Sequence, residues 1–574
     1  MQCKQTEIIT DSEQVKYIYA QQLTAFCKAA DTLLYNLERG HPAQWKLAFN
    51  KARLAYKQIE IFVDYYYPST AKGINGPPVK EVEADDPIKE MDPSGFQVIE
   101  ENLFPTIDTS AKKALIEQAK IIQSLSRRLQ NGFASLAFSD SHVFDALRLH
   151  LLRIISMNLA GGDNGIAQNS VSEAVVSLQS FRTYVALYNP GVLFRTELDK
   201  AVNNLQQDTS FADFDRATFI TEYAGPIWNQ LYALQEANEI PFLKEVGLVN
   251  TLSSSLFDSG FFNTASFSQQ RLGMPNAYVI ETGRRLFSDQ RLSGNGLRSC
   301  ASCHQPKKGY ADNRAKNTTI DGTETIFRNT PTILYASLQP LQFADGRVSF
   351  LEDQAKNVIE NHSEMQGDLK TITRLLAKDT TYQRLSEQAF KKPVLDAENI
   401  TNALAAFIQA QTLFTSSFDD YLKGNKTAIS ATTIKGFNLF MGKAKCGTCH
   451  FMPLFNGVVP PHFNRMESEV LGVPTTNKPP FTVDGDEGKF RLTGAAIHRY
   501  AFKTPTLRNI QLTAPYMHNG IYRTLEEVID FYDKGGGAGL GITLPNQTLP
   551  AEPLNLTRLE KEALIEFLKS LNDK

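Results

Sequence analysis

Nowhere in its 574 residues does the chain hold an apolar run of about 18 residues, so no helix long and apolar enough to cross a membrane is encoded. An excess of one charge is missing too. With 59 Lys and Arg against 62 Asp and Glu, the formal charge of −3 supplies no basic footprint for nucleic acid, and that partner is set aside. Alternating strand patterns of useful length are absent. Tryptophan is reduced to Trp45 and Trp228. Cysteine is scarce: Cys3, Cys27, Cys300, Cys303, Cys446 and Cys449 are the whole set, too few for a disulfide scaffold once four of them fall into two Cys-x-x-Cys pairs.

What is present is a chain of ordinary globular composition, 42% hydrophobic and 21% charged, and long enough for two to four domains. Residues 13–36 and 42–63 place Val15, Ile18, Tyr19, Leu23 and Phe26, then Leu47, Ala48, Ala52 and Tyr56, at helical spacing. Cys27 falls in the first of these stretches and is expected to be a buried apolar side chain. After a Pro/Gly break at 72–78, further helical stretches are predicted near 109–130, 141–159, 170–188 and 212–236. The expected class is mainly α: an amino-terminal helical bundle over 1–245, a linker over 246–275 and, from a Cys-x-x-Cys-His segment at 300–304 and another at 446–450, two cytochrome c-like haem domains over 276–428 and 429–574. A last helix is predicted over 557–571 from the stripe Leu559, Leu564, Ile565, Phe567 and Leu568.

The two haem domains are inferred from two motifs, Cys300-Ala301-Ser302-Cys303-His304 and Cys446-Gly447-Thr448-Cys449-His450. Two thiols must reach the two vinyl groups of one porphyrin while an imidazole stands under the iron. On a helical turn, positions i, i+3 and i+4 share one side and meet that demand. Zinc wants four ligands, and each motif offers three. Two covalently bound haem c groups are therefore expected, with His304 and His450 as iron ligands.

Residues 276–574 resemble the bacterial dihaem cytochrome c peroxidase and MauG family. The resemblance is carried by Leu292-Ser293-Gly294-Asn295-Gly296, Arg328-Asn329-Thr330-Pro331-Thr332, Asp345-Gly346-Arg347, Phe502-Lys503-Thr504-Pro505-Thr506-Leu507-Arg508-Asn509 and Leu512-Thr513-Ala514-Pro515-Tyr516-Met517-His518-Asn519-Gly520. It implies that hydrogen peroxide reacts at the first haem and that the second handles electrons. It also implies Gln354 and Glu364 as catalytic residues, Glu364 moving a proton between the peroxide oxygens. Many members block the resting peroxide haem with a second histidine, yet no histidine lies between His304 and His362 here. A resting five-coordinate first haem is expected.

For the second haem the resemblance implies a methionine or tyrosine opposite His450. Counting fifteen positions from Met517 lands on Tyr532, with Met517 itself the alternative and a merely buried tyrosine beside Phe531 the third reading. A Met/His pair raises haem potential, whereas a phenolate favours the ferric state, as in the MauG branch. The tryptophan usually found before Asp-Gly-Arg is Ala344 here, preceded by Phe343, which puts hole sharing through that position in doubt. The family also holds calcium through positions matching Asn329, Thr513 and Pro515.

Residues 42–103 resemble imelysin-like helical domains, through the stretch 52–60, the break 74–78 and Gly95-Phe96-Gln97-Val98-Ile99-Glu100. The histidine of that family's Gly-x-His-x-x-Glu hallmark is Gln97, which removes the best transition-metal ligand and favours a docking role. Covalent haem attachment implies export to the periplasm. The polar opening Met1-Gln2-Cys3-Lys4 then implies a removed leader, with Cys3 a candidate lipid anchor. Two readings of function follow: a peroxidase fed by a small c-type cytochrome or cupredoxin, and a MauG-like oxidase that turns peroxide-derived oxidation on a protein or small molecule. A plain electron carrier is disfavoured by Glu364, Gln354 and the missing blocking histidine.

Overall fold

A computed structural model describes residues 11–83, 86–133, 135–243, 247–258, 260–269 and 275–574. Cys3 and the expected boundary at 245–246 lie outside them. The amino-terminal part is built on the helix Asp11–Arg39, whose Val15, Tyr19, Leu23, Phe26, Ala30, Leu33 and Leu37 are all at most 1% exposed. These residues repeat every three or four positions, so they form one stripe. The stripe packs on the helix Pro42–Tyr66, which buries Phe49, Ala52, Tyr56, Ile59 and Phe62, and on the helix Lys112–Phe133. Pro42 opens its helix, where a missing N–H costs nothing. Cys27 is buried, its thiol directed at the Ser126 carbonyl at 3.4 Å.

The helix Pro68–Asn75 carries regular structure into the break expected at 72–78, and other elements of this part also go beyond the sequence expectation. Val192–Gln207 is a helix, anchored by Phe194, Leu198, Ala201, Val202 and Leu205, although Val192 and Leu193 stand exposed at its start and blur the stripe. The chain after residue 78 also forms an antiparallel ribbon, β1 (Glu81–Glu83) against β2 (Asp86–Met91), pairing Glu81 with Met91 and Val82 with Glu90. Three residues in β1 are too few to register as an alternating pattern. The helix Asp140–Arg153 runs on into a wider π turn, Ile154–Asn158, all of it buried.

The carboxy-terminal half contains one packing device twice. The helix Ala277–Phe287 crosses the helix Ala397–Gln409, and the helix Ala431–Met441 crosses the helix Arg558–Lys569. Each crossing closes on a glycine. A Cβ on Gly283 would stand 1.8 Å from the Ala403 carbonyl oxygen, and one on Gly436 would stand 2.0 Å from that of Ala563. Phe407 and Phe567 flank the two contacts, and Phe287 meets Phe407 at 4.9 Å as Phe440 meets Phe567 at 5.1 Å. Glycine within a helix costs about 1 kcal/mol relative to alanine, so its presence at both crossings reflects the close approach of backbones. Phe418, from the helix Ser417–Leu422, joins the second crossing through Phe437 and Phe567. Beneath it, the Arg508 guanidinium donates twice to the Asp419 carboxylate at 2.8 and 2.9 Å, with both side chains buried.

The helical part seats directly on the second Cys-x-x-Cys-His segment. Lys445 Nζ donates to the Gly165 carbonyl at 3.0 Å, Met157 clusters with Phe451 and Val459, and a Cβ on Gly447 would touch Ala160 at 3.2 Å. Asn438 locks the same face, accepting from the Ala217 N–H and donating to Asp215.

Candidate active site

The first motif is a single helical turn, Cys300–Cys303, with His304 at its end. The His304 Nδ1–H donates to the Tyr310 carbonyl at 3.0 Å, which leaves Nε2 as the free lone pair. Burial holds this imidazole below its usual value, so it stays neutral and able to bind iron. Burial also pushes the Cys300 thiol up to about 12. The Cys303 thiol is raised by burial as well, with Asp312 and Glu364 nearby adding to the shift.

That electrostatic link places Glu364 beside the first motif. Glu364 follows the helix Leu351–Glu360 in a tight turn, where its Oε1 accepts from Asn361 Nδ2 at 3.1 Å and its carbonyl accepts from Arg298 at 3.1 Å. Burial raises its carboxyl above the usual value, although Arg347 and Arg298 pull the other way. Gln354, on the helix Leu351–Glu360, lines the same cavity as His304. His362 is exposed in the turn before Glu364. Arg347 lies 3.4 Å over the Phe343 ring, next to Ala344, which stands where the resemblance implies tryptophan.

The second motif forms a tighter turn, Cys446–Thr448, and the His450 Nδ1–H is shared between the Pro505 and Phe455 carbonyls at 3.1 and 3.3 Å. Burial takes this imidazole down to about 4 and the Cys446 thiol up to about 12. Tyr532, on the helix Leu525–Asp533, faces both thiols: burial raises its hydroxyl well above the usual value, and Cys449, Cys446 and Glu469 each add to that. Met517, held at φ +71°, lines the same space. Glu469 was not legible in the sequence. It sits on β3 (Ser468–Val470), opposite Phe502 of β4 (Ala501–Lys503), and burial raises its carboxyl beside Cys449.

A cavity of about 2460 Å³ joins these groups, reaching from His304 and Gln354 to Cys446, Cys449, His450 and Tyr532. Pockets for small ligands typically run to roughly 300–1,000 Å³, so the space suits bulky macrocycles. Paired free thiols and a neutral imidazole with an open Nε2 in each block, with one large cavity reaching both, fit covalently held porphyrin. Asn329, Thr513 and Pro515 border the cavity together, and Asn329 Nδ2 donates to the Arg314 carbonyl at 2.7 Å. On the far side, Gln97 donates to the Asn75 carbonyl at 3.1 Å, and Glu100 accepts from the Ile166 and Ala167 N–H groups at 2.8 Å. Behind them the Lys57 ammonium lies between Glu60 and Asp163, 2.7 Å from each.

Comparison with known proteins agrees with this chemistry. Residues 278–427 match the family described as di-haem cytochrome c peroxidase. The cytochrome-c peroxidase IdrP2 of Pseudomonas sp. (strain SCT) is 32% identical over 348 residues, spanning 58% of this chain and 91% of that protein. The methylamine utilization protein MauG of Methylorubrum extorquens is 32% identical, over 51% of this chain and 77% of that protein. A crystal structure of a MauG-like protein associated with microbial copper homeostasis is 30% identical, covering 52% of this chain and 91% of that one, with a TM-score of 0.45. The chain belongs to the dihaem cytochrome c peroxidase and MauG family. It is accordingly an oxidoreductase of the peroxide-using kind, with two haem c groups as its cofactors.

Proposed function

We propose that the protein reduces hydrogen peroxide at the haem held by Cys300, Cys303 and His304, with electrons passed on from the haem held by Cys446, Cys449 and His450. The observation that carries this reading is the half-buried Glu364 carboxyl beside the first motif. Glu364 is fixed by Asn361 and flanked by Arg298 and Arg347, and burial raises its carboxyl. Such a group can take the proton of one peroxide oxygen and return it to the leaving oxygen. Gln354 lines the cavity that His304 also borders and would orient the peroxide. Haem, when bound, supplies the redox chemistry at iron. The chain's part is to hold the proton, exclude bulk water and position the oxidant.

The MauG-like reading is favoured by one feature, Tyr532 lining the same cavity as Cys446, Cys449 and His450, where it could serve as the second ligand of a bound iron. A phenolate there stabilises ferric iron and suits storage of oxidising equivalents for a protein or small-molecule substrate. Asn329, Thr513 and Pro515 would hold calcium through oxygen donors between the two sites. Thioether attachment of haem, where it occurs, would go with export to the periplasm. The imelysin-like part would then serve as a docking module. Steady-state turnover of the haem-loaded protein with peroxide and a reduced small c-type cytochrome tests the choice. Rapid oxidation of the donor supports the peroxidase. A spectrum that stays oxidised for minutes without donor, and slow donor turnover, supports the oxidase.

A further inference from the structure

Lys503 closes β4, and its backbone N–H donates to the Ala344 carbonyl at 2.8 Å. A residue of the last block is thereby tied to the loop of the first block that runs through Asp345-Gly346-Arg347. Its side chain faces the cavity that also reaches His304 and His450. The amine meets the Oε1 of Gln339, a neutral group that is itself buried. Among the described residues no carboxylate forms an ion pair with it, and burial alone draws its ammonium down to about 8. Lys57, by contrast, is fully buried and sits between Glu60 and Asp163.

An enclosed cation without a counter-charge is costly and is kept where a partner is supplied. The protein supplies none, and the amine is aimed into the space meant for porphyrin, whose propionates are carboxylates. We propose that Lys503 is the internal counter-charge of a haem propionate at the junction of the two pockets, and that this pair sets the reduction potential of the haem carrying that propionate. The proposal rests on the two-haem reading above. Lys503 acts as a positioning residue: it touches the edge of the cofactor, not the reacting oxygen atoms. A cation paired with a propionate favours the reduced, less positive haem, so removing it must lower that haem's potential.

The test is spectroelectrochemical titration of the full-length, haem-loaded protein, in which two one-electron waves are resolved. In Lys503→Met one wave should fall so that the oxidised-to-reduced ratio at fixed potential rises about tenfold, which is 59 mV for a one-electron couple. Lys503→Arg, which keeps the charge, should stay within twofold of the parent. Gln339→Glu, which gives the amine a protein carboxylate, should shift the same wave downward while leaving Lys503 in place, and it serves if Lys503→Met does not mature. A covalent haem count checks the two-haem reading separately: fewer than two haems in the parent defeats that reading. Two haems with unmoved potentials in every loaded variant would overturn the role of Lys503. An equal fall in Lys503→Arg and Lys503→Met would overturn it as well, since packing would then be the cause.

Discussion

Replacing Glu364 with glutamine removes a proton carrier while keeping nearly every atom of the site. The amide has the same shape, its oxygen still accepts from Asn361 Nδ2, and the Arg298 contact goes to the backbone carbonyl, which the change leaves alone. The fold should therefore be unaffected, and any loss reports proton transfer. General acid–base catalysis contributes about 10²–10⁴-fold. At about 1.36 kcal/mol per decade this corresponds to roughly 3–5 kcal/mol of barrier. The assay is stopped-flow mixing of the ferric, haem-loaded protein with hydrogen peroxide, read at the Soret band across pH. Burial raises the Glu364 carboxyl, so the parent rate should fall as pH drops through a value above the ordinary ~4.3 of glutamate, as the base becomes protonated. Glu364→Gln should be slow and flat over the same range. A variant that reacts within threefold of the parent, with normal haem content, would refute the role given to this carboxyl. Substituting the exposed His362 by alanine should change neither rate nor profile.

Gly436→Ala sets a Cβ 2.0 Å from the Ala563 carbonyl oxygen, and forcing the helices apart should cost on the order of 3 kcal/mol, seen as a lowered thermal midpoint. Asp419→Ala strands the Arg508 guanidinium in the core and should cost about 3–5 kcal/mol in denaturant unfolding. In the parent, burial alone would raise Asp419, but the Arg508 charge and hydrogen bonds hold it below its usual value. Its contribution is therefore full at neutral pH and is lost as pH falls below the ordinary ~3.9 and through the lower folded value. An acid-unfolding curve should show this limb in the parent and not in Asp419→Ala. Tyr532→Phe should alter the low-spin electron paramagnetic resonance signal of the second haem while Met517→Leu leaves it unchanged; the reverse pattern assigns the ligand to Met517.

The parts of this molecule that could be read from the chain are those that depend on local spacing. Both Cys-x-x-Cys-His segments, the stripe from Val15 to Leu37 and the final helix declare themselves because their chemistry or packing lies within one or two turns. Glu364 and Gln354 became visible only through flanking resemblance, since an isolated Glu or Gln in a polar stretch looks like a solvated residue. Glu469 gave no signal at all, and Lys503 stood within a family-matching stretch with nothing to mark its charge. Their character comes from β3 and β4 carrying them into an enclosed space, and enclosure is a property of the tertiary fold. The doubled glycine crossing was present in the letters as Gly283 and Gly436, four residues before Phe287 and Phe440, with Ala403 and Ala563 four before Phe407 and Phe567. It went unread because a glycine in a helix looks like a defect until the backbone it admits is known. The Val192–Gln207 helix was hidden by exposed apolar residues at its start, and the β1/β2 ribbon by its shortness.

Because Met157, Ala160 and Gly165 rest on the turn holding Cys446 and Cys449, a reductant arriving from that side meets the helical part and not the haem-bearing turn. Encounter kinetics there are then governed by the charges on the outer face of that lid. Ionic-strength dependence of donor oxidation would report the lid, while the driving force for the electron would report the pocket beneath it.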